Sequence, residues 1–278
     1  MNANRIFPFV IVIAIVILSA CVSSSNPNPP AAQPPAVATN ASTPTTEVQP
    51  EVQVNEAPAN TSGPSESPHA CDNPYLPIVL GATWNYKLTG PLPDTFTHTI
   101  LSMESNSFVE QDVFNAGVTR QGTWNCENGN LIALDPPGGA SANVSTENNV
   151  AVDFETKDLS GVTLPAAINV GDTWSQSLTL EGTQTINGTA YPASNQLTSN
   201  CKAIGLESVT VEAGTFDALR VECQTTMKLS LKLGDTPTEN TINLTGTNWY
   251  VRDVGLVKTL TIGFGVDSTV ELLSYNIP

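Results

Sequence analysis

The chain has 278 residues, with 26 acidic against 10 basic side chains and a formal net charge of −16. A surface this acidic repels nucleic acid and anionic lipid headgroups, so neither is expected as a partner held by charge. Only two histidines and five cysteines are present, which leaves little for a histidine-based metal or catalytic centre.

Met1–Ala20 reads as a signal peptide. Arg5 and the free amine form a positive start, and Ile6–Leu18 is an apolar run of about 13 residues, short for a bilayer span. Leu18-Ser19-Ala20-Cys21 resembles the bacterial lipobox, in which the cysteine receives a diacylglycerol and the signal is cut before it. The resemblance makes Cys21 the lipidation site, and several acyl chains on one residue give a stable anchor. Val22, where an aspartate would favour retention at the inner membrane, points to an outer membrane in a cell with two membranes and to the exterior in a cell with one. The expected location is therefore a bacterial membrane, facing the periplasm or the outside.

Residues 21–70 read as a disordered tether rich in Pro, Ser, Thr and Asn. From Val22 to Ala70 it holds no Leu, Ile or large aromatic and cannot offset the entropy of ordering. As a flexible coil it would span on the order of 40 Å.

Residues 71–278 read as the folded part, long enough for a sizeable core. His69 and His98 are expected to be ordinary surface residues. Gly81-Ala82-Thr83-Trp84 and Gly171-Asp172-Thr173-Trp174 are alike, each after a Leu-Pro pair (Leu76-Pro77, Leu164-Pro165). Trp124 before Gly129 has a counterpart in Trp249 before Gly255. An old duplication into halves of about 74–158 and 159–278 would account for this. Asp135-Pro136-Pro137-Gly138-Gly139 and Ser160–Pro165 read as loops between sheets.

The clearest signal is Val209–Leu260. Leu219, Val221, Cys223, Met227, Leu229, Leu231 and Leu233 alternate with polar residues, which is the period of a strand with one face on a core. Such a strand would run about 50 Å, so a bend or bulge is expected. Glu212-Ala213-Gly214-Thr215 is the turn before it, with Gly214 free to take positive φ. Asn240–Tyr250 returns, Asp253-Val254-Gly255 turns, and Leu256, Leu260, Ile262 and Phe264 alternate again. No amphipathic helix is evident. The fold class is all-β, an antiparallel meander curled into a half-barrel or open barrel from two related halves.

Cys71, Cys126, Cys201 and Cys223 form an even set in an exported domain and read as two disulfides. Three pairings are open. Cys201–Cys223 is favoured because the Glu212–Thr215 turn lies almost midway, with a bulge near Gly205–Ser208 to adjust the register, and Cys71–Cys126 remains. A four-cysteine metal site lacks any CxxC pair, so no metal and no cofactor are expected.

The motifs Tyr75-Leu76-Pro77…Gly81-x-x-Trp84-x-Tyr86, Val209-x-Val211-x-Ala213-Gly214-x-Phe216 and Trp249-Tyr250-Val251-x-Asp253-Val254-Gly255-Leu256-Val257-Lys258 resemble a group of uncharacterised bacterial secreted proteins and lipoproteins. More distantly, these resemble the half-barrel lipoprotein-sorting and lipid-carrier proteins of the envelope. The resemblance implies a β fold and names no catalytic residue.

No nucleophile elbow, phosphate loop, zinc-protease or calcium motif is present. Asp153/Glu155 and Glu207/Glu212 are the carboxylate clusters to inspect for glycoside hydrolysis, and solvated loops explain them as well. Arg252 beside Asp253 fits an exposed turn. The expected function is a non-catalytic, membrane-anchored binding or scaffolding domain, with a cell-envelope protein, glycan or apolar ligand as partner. The alternatives are a carrier of a lipid or other apolar ligand and, behind it, a glycan-directed hydrolase.

Overall fold

Alternating apolar and polar residues resolve into thirteen strands in the computed structural model, which describes residues 69–135, 143–146, 149–234, 236–263 and 266–278. They are β1 (Thr83–Thr89), β2 (Asp94–Met103), β3 (Ser107–Phe114), β4 (Val118–Glu127), β5 (Asn130–Ala133), β6 (Asn143–Thr146) and β7 (Asn149–Gly161). There follow β8 (Thr173–Ile186), β9 (Thr189–Val211), β10 (Gly214–Leu233), β11 (Thr236–Val251), β12 (Gly255–Gly263) and β13 (Val266–Asn276). No helix occurs among the described residues. The expected signal peptide, Cys21, the tether up to Pro68 and the Pro136–Gly139 loop lie outside them.

All pairings are antiparallel, and most join strands consecutive in sequence. Two further pairings close the sheet. β1 pairs with β13, and β4 shares its second edge between β5 (Trp124–Glu127) and β6 (Val118–Gln121). Because β3 also pairs with β4, twelve strands form a closed ring and β5 hangs outside it. The expected half-barrel or open barrel is therefore corrected to a closed barrel. The pairing of β1 with β13 joins segments at opposite ends of the folded chain, which no local pattern encodes.

The two related halves do not separate as units. The boundary at 158/159 falls inside β7. Trp84 and Trp174 do open β1 and β8 alike, and each donates its Nε1–H to a loop carbonyl, Val254 O at 2.6 Å and Thr163 O at 3.0 Å. The second pair of tryptophans diverges. Trp124 is buried in register with Phe108, whereas Trp249 sits in register with Arg220 and bonds the Glu207 carboxylate.

Along the long strands the alternation holds. Leu197 stands opposite both Leu178 and Met227, and Met227 opposite Ile242, so these four share the inward face. The opposite face carries Ser177, Thr198, Asn200, Gln224 and Lys228, mostly exposed. A membrane-spanning barrel would present an apolar band there, so this outer face is built for water. β9 and β10 accommodate their length with the expected bulge, at Ile204, between the pairs Arg220–Gly205 and Val221–Ala203. The sulfurs of Cys201 and Cys223 lie 2.06 Å apart across this ladder.

One end of the barrel is plugged. Residues 70–82, the 162–168 loop and the 251–255 turn pack into a core containing Trp84, Phe108, Leu131, Leu164, Val257 and Leu272. The Ala70 carbonyl accepts from Gly129 N–H and the Pro74 carbonyl from Asp253 N–H. Asn73 holds the Gly129 and Pro165 carbonyls at 2.8 and 3.1 Å, and the Cys71 and Cys126 sulfurs lie 2.00 Å apart. Each fully buried large side chain here contributes roughly 1.5–3 kcal/mol. Among the described residues, every strand and both cysteine pairs lie within residues 69–278, so that segment carries the fold described.

Candidate functional site

Above the plug, the inward face of β2, β3 and β4 is polar. Register places His98 opposite Asp112 and Asp112 opposite Arg120, while Ile100 and Gly122 both stand opposite Glu110. The three strands thus bring four ionisable side chains to one patch of the inner wall. Gly122 makes the room for it: a Cβ there would lie 2.9 Å from Glu110 Oε1 and 3.3 Å from the Asp135 carbonyl. Glu110 leans into the notch that the missing side chain leaves.

Asp112 organises the patch. One oxygen meets His98 Nδ1 at 2.8 Å and the other accepts from Arg120 Nη2 at 2.9 Å. This fixes the imidazole with its remaining nitrogen, Nε2, turned to Glu110 Oε2 at 3.5 Å. Aromatic rings frame the group. The Arg120 guanidinium lies 4.6 Å over the Phe114 ring, Phe114 stacks on Phe96, and the His98 ring lies 5.4 Å from that of Trp84.

Burial makes the electrostatics severe. It pushes the Glu110 carboxyl up to about 7, against the opposing attraction of His98. For His98, burial alone would lower the pKa, but Glu110 and the bond to Asp112 outweigh it and raise the value. Asp112 goes the other way. Burial would raise it, yet the His98 hydrogen bond and the charges of His98 and Arg120 hold it below the ordinary range. Tyr86 and Tyr250, on β1 and β11, are raised by burial and by nearby acids, Tyr250 to about 12. Both stay protonated as donors at neutral pH.

Polar side chains also face inward on β9–β12. Ser199, Thr225, Asn248 and Thr259 face inward yet are only half-buried. Inside a closed ring such exposure is to an internal lumen. Twelve strands enclose more room than the roughly eight whose interior side chains fill, and less than the 16–18 of open channels. Further along β7–β11 the wall becomes apolar, where Phe154, Leu178, Leu180, Leu197, Met227 and Ile242 pack on one another with half-buried Leu229 and Leu244 beside them. Residues 236–244 of β11 pair with β10 alone, so this wall continues past the end of β12.

Chemically, Asp112–His98 has the orientation of an acid–base pair, but the free ring nitrogen is turned to a carboxylate, not to a hydroxyl or thiol. The arrangement suits binding better than nucleophilic attack.

A family model described as DUF3108-like matches residues 103–261, more than half of the chain and including β3, β4 and the long strands. The chain belongs to the DUF3108-like family. No curated protein sequence matches it. Among solved structures, a protein of Bacteroides fragilis described as exported and YmcC-like in fold is 16% identical, covering 74% of this chain and 100% of that one with a TM-score of 0.47. A Parabacteroides distasonis protein described as a lipoprotein is 18% identical over 73% and 99%, with a TM-score of 0.49. Lipoprotein YmcC of Escherichia coli is 12% identical over 70% and 84%, with a TM-score of 0.34.

In this DUF3108-like chain the residues singled out from sequence are placed as follows. Cys71 and Cys126 sit in the plug, while Cys201 and Cys223 sit on the inner ladder of β9 and β10. Glu155, beside Asp153 on β7, pairs with Lys157 in solvent. Glu207 is tied to Arg220 and Trp249, and Glu212 is exposed in the turn, so neither pair forms a carboxylate cleft. Arg252 stacks 4.8 Å over Tyr75, and Asp253 takes φ 61° in the turn. His69 accepts the Cys71 N–H at the entrance to the fold. His98, expected at the surface, is instead largely buried inside the barrel. Glu110, Asp112 and Arg120 were not anticipated. A signal existed in the alternation Phe108, Glu110, Asp112, Phe114, which places two acids on the face of two phenylalanines.

Proposed function

We propose that the protein is a lipid-anchored envelope lipoprotein whose barrel domain binds an amphipathic ligand in its lumen without chemically transforming it. The observation that carries the reading is a closed ring with half-exposed inward side chains between a charged wall and an apolar one. The signal-like start and the lipobox ending in Cys21 support an envelope location for it. The anchor rests on the lipobox and Cys21, with the acidic, water-facing barrel carried on the tether.

Native mass spectrometry of residues 69–278, purified without detergent from an oxidising compartment, tests the binding half. A reproducible adduct that organic extraction removes is expected. A bare polypeptide mass, together with no uptake of added amphiphile, would overturn it. The anchor is tested separately: Cys21→Ser should move the protein out of the membrane fraction, and retention there would reject the lipobox reading.

A further inference from the structure

We propose that His98 and Arg120 form the headgroup site of the lumen, selecting amphiphiles with an anionic head, a carboxylate or a phosphate, over neutral or cationic ones. The inference rests on the lumen-binding reading above and adds what the ligand must carry.

Layering within the cluster gives the sign. The two cations are the more exposed members, His98 at 12% and Arg120 at 15% side-chain exposure, against 3% for Glu110 and 6% for Asp112. A molecule that reaches the cluster therefore meets the imidazole and the guanidinium more readily than the carboxylates. The cations cannot swing away, because Asp112 holds both through its two oxygens and Phe114 lies against the guanidinium. An unspent donor remains as well: Arg120 Nε is buried without a hydrogen-bond partner, while His98 Nε2 is turned to Glu110 Oε2 at 3.5 Å. A fixed guanidinium beside a fixed imidazole matches the oxygens of a carboxylate or phosphate.

Glu110 is faced by His98 from β2, Asp112 on its own strand, Arg120 from β4, Asp135 beyond β5, Tyr86 from β1 and Tyr250 from β11. With Glu110 protonated, an anionic head meets one carboxylate charge fewer in the cluster. An anion beside Glu110 in turn favours its proton. Binding therefore takes up a proton near pH 7, and affinity falls as pH rises through that value. The apolar wall of β7–β11 offers Leu229 and Leu244 to the chain.

The test is calorimetric titration of residues 69–278 with dodecanoate, dodecyl phosphate, dodecyl maltoside and dodecyltrimethylammonium, each below its micellar concentration, at pH 6 and pH 8. The anionic heads should bind at least about tenfold more tightly than the others at pH 6. Their affinities relative to each other separate a carboxylate ligand from a phosphate one. Proton uptake, read from buffers of different ionisation enthalpy, should accompany anion binding and vanish in Glu110→Gln. Arg120→Gln should erase the preference, and Arg120→Lys should restore part of it. Should Arg120→Gln fail to fold, His98→Gln reads the same preference. Equal affinity for all four heads would overturn the headgroup site and leave the lumen reading standing. No binding of any would overturn both.

Discussion

The barrel has two unlike walls. β8–β11 are 14, 23, 20 and 16 residues long, and most of their buried side chains are apolar, with no buried acid, lysine or arginine among them. β2–β4 are eight to ten residues long and turn a histidine, two acids and an arginine inward. The long wall is stabilised by area removed from water, the short wall by mutual compensation of charges that each cost several kcal/mol to bury alone. The first kind of wall is indifferent to pH and tolerant of ligand chemistry. The second is sensitive to both, which is why recognition is assigned to it.

The largest effect should come from breaking the long wall. Leu180 is fully buried in its apolar cluster, so Leu180→Ala should cost about 2–5 kcal/mol in chemical denaturation. Val113→Ala, at an exposed position of the short wall, should stay within about 0.5 kcal/mol. Comparable losses at the two sites would mean that the wall beyond the plug is not a core at all. Next in size, replacing Cys201 and Cys223 together by serine removes the cross-link that pins β9 to β10 beside the bulge. About 3 kcal/mol should be lost, by the loop-closure argument, with mass mapping of the parent protein checking the pairing. A parent map that joins either cysteine to Cys71 or Cys126 would remove the basis of that figure.

The walls also differ in how they show in the sequence. On β10 the alternation names the inward face unambiguously, because Val221, Met227 and Leu229 have only polar neighbours, and the Glu212–Thr215 turn predicts its partner strand. On β3 both parities hold apolar residues, Val109 and Val113 on one and Phe108 and Phe114 on the other, so period two defines two faces without saying which is inside. The charged members sit on the inward parity because partners from β2 and β4 neutralise them there, and that compensation exists only after folding. Closure was illegible for a related reason. It depends on the pairings of β1 with β13 and β4 with β6, which join strands that are not consecutive and leave no turn signal between them. His98 stands between Thr97 and Thr99, and these polar residues are its outward-facing flanks.

The finest difference between the walls is their response to pH, and Glu110 carries it. Its ordinary value of 4.5 rises to about 7 in the fold, so the folded state binds more protons than the unfolded chain between those values. The stability it contributes is complete below about pH 4.5 and is lost as pH rises through about 7. His98, also raised, acts in the same direction: its contribution is present below 6.5 and is lost as pH passes its folded value. Asp112, lowered from 3.8, loses its contribution only as pH falls through its still lower folded value, below this window. Stability should therefore decline by about 1–3 kcal/mol between pH 5.5 and 8.5, a range narrowed by the sharing of charge between Glu110 and His98. In Glu110→Gln the decline should largely disappear, because the variant loses both the titrating carboxyl and the largest influence raising His98. Denaturation midpoints at pH 5.5, 7 and 8.5 for both proteins decide it. A slope unchanged in the variant would place the titrating group outside the cluster and make the short wall as indifferent to pH as the long one.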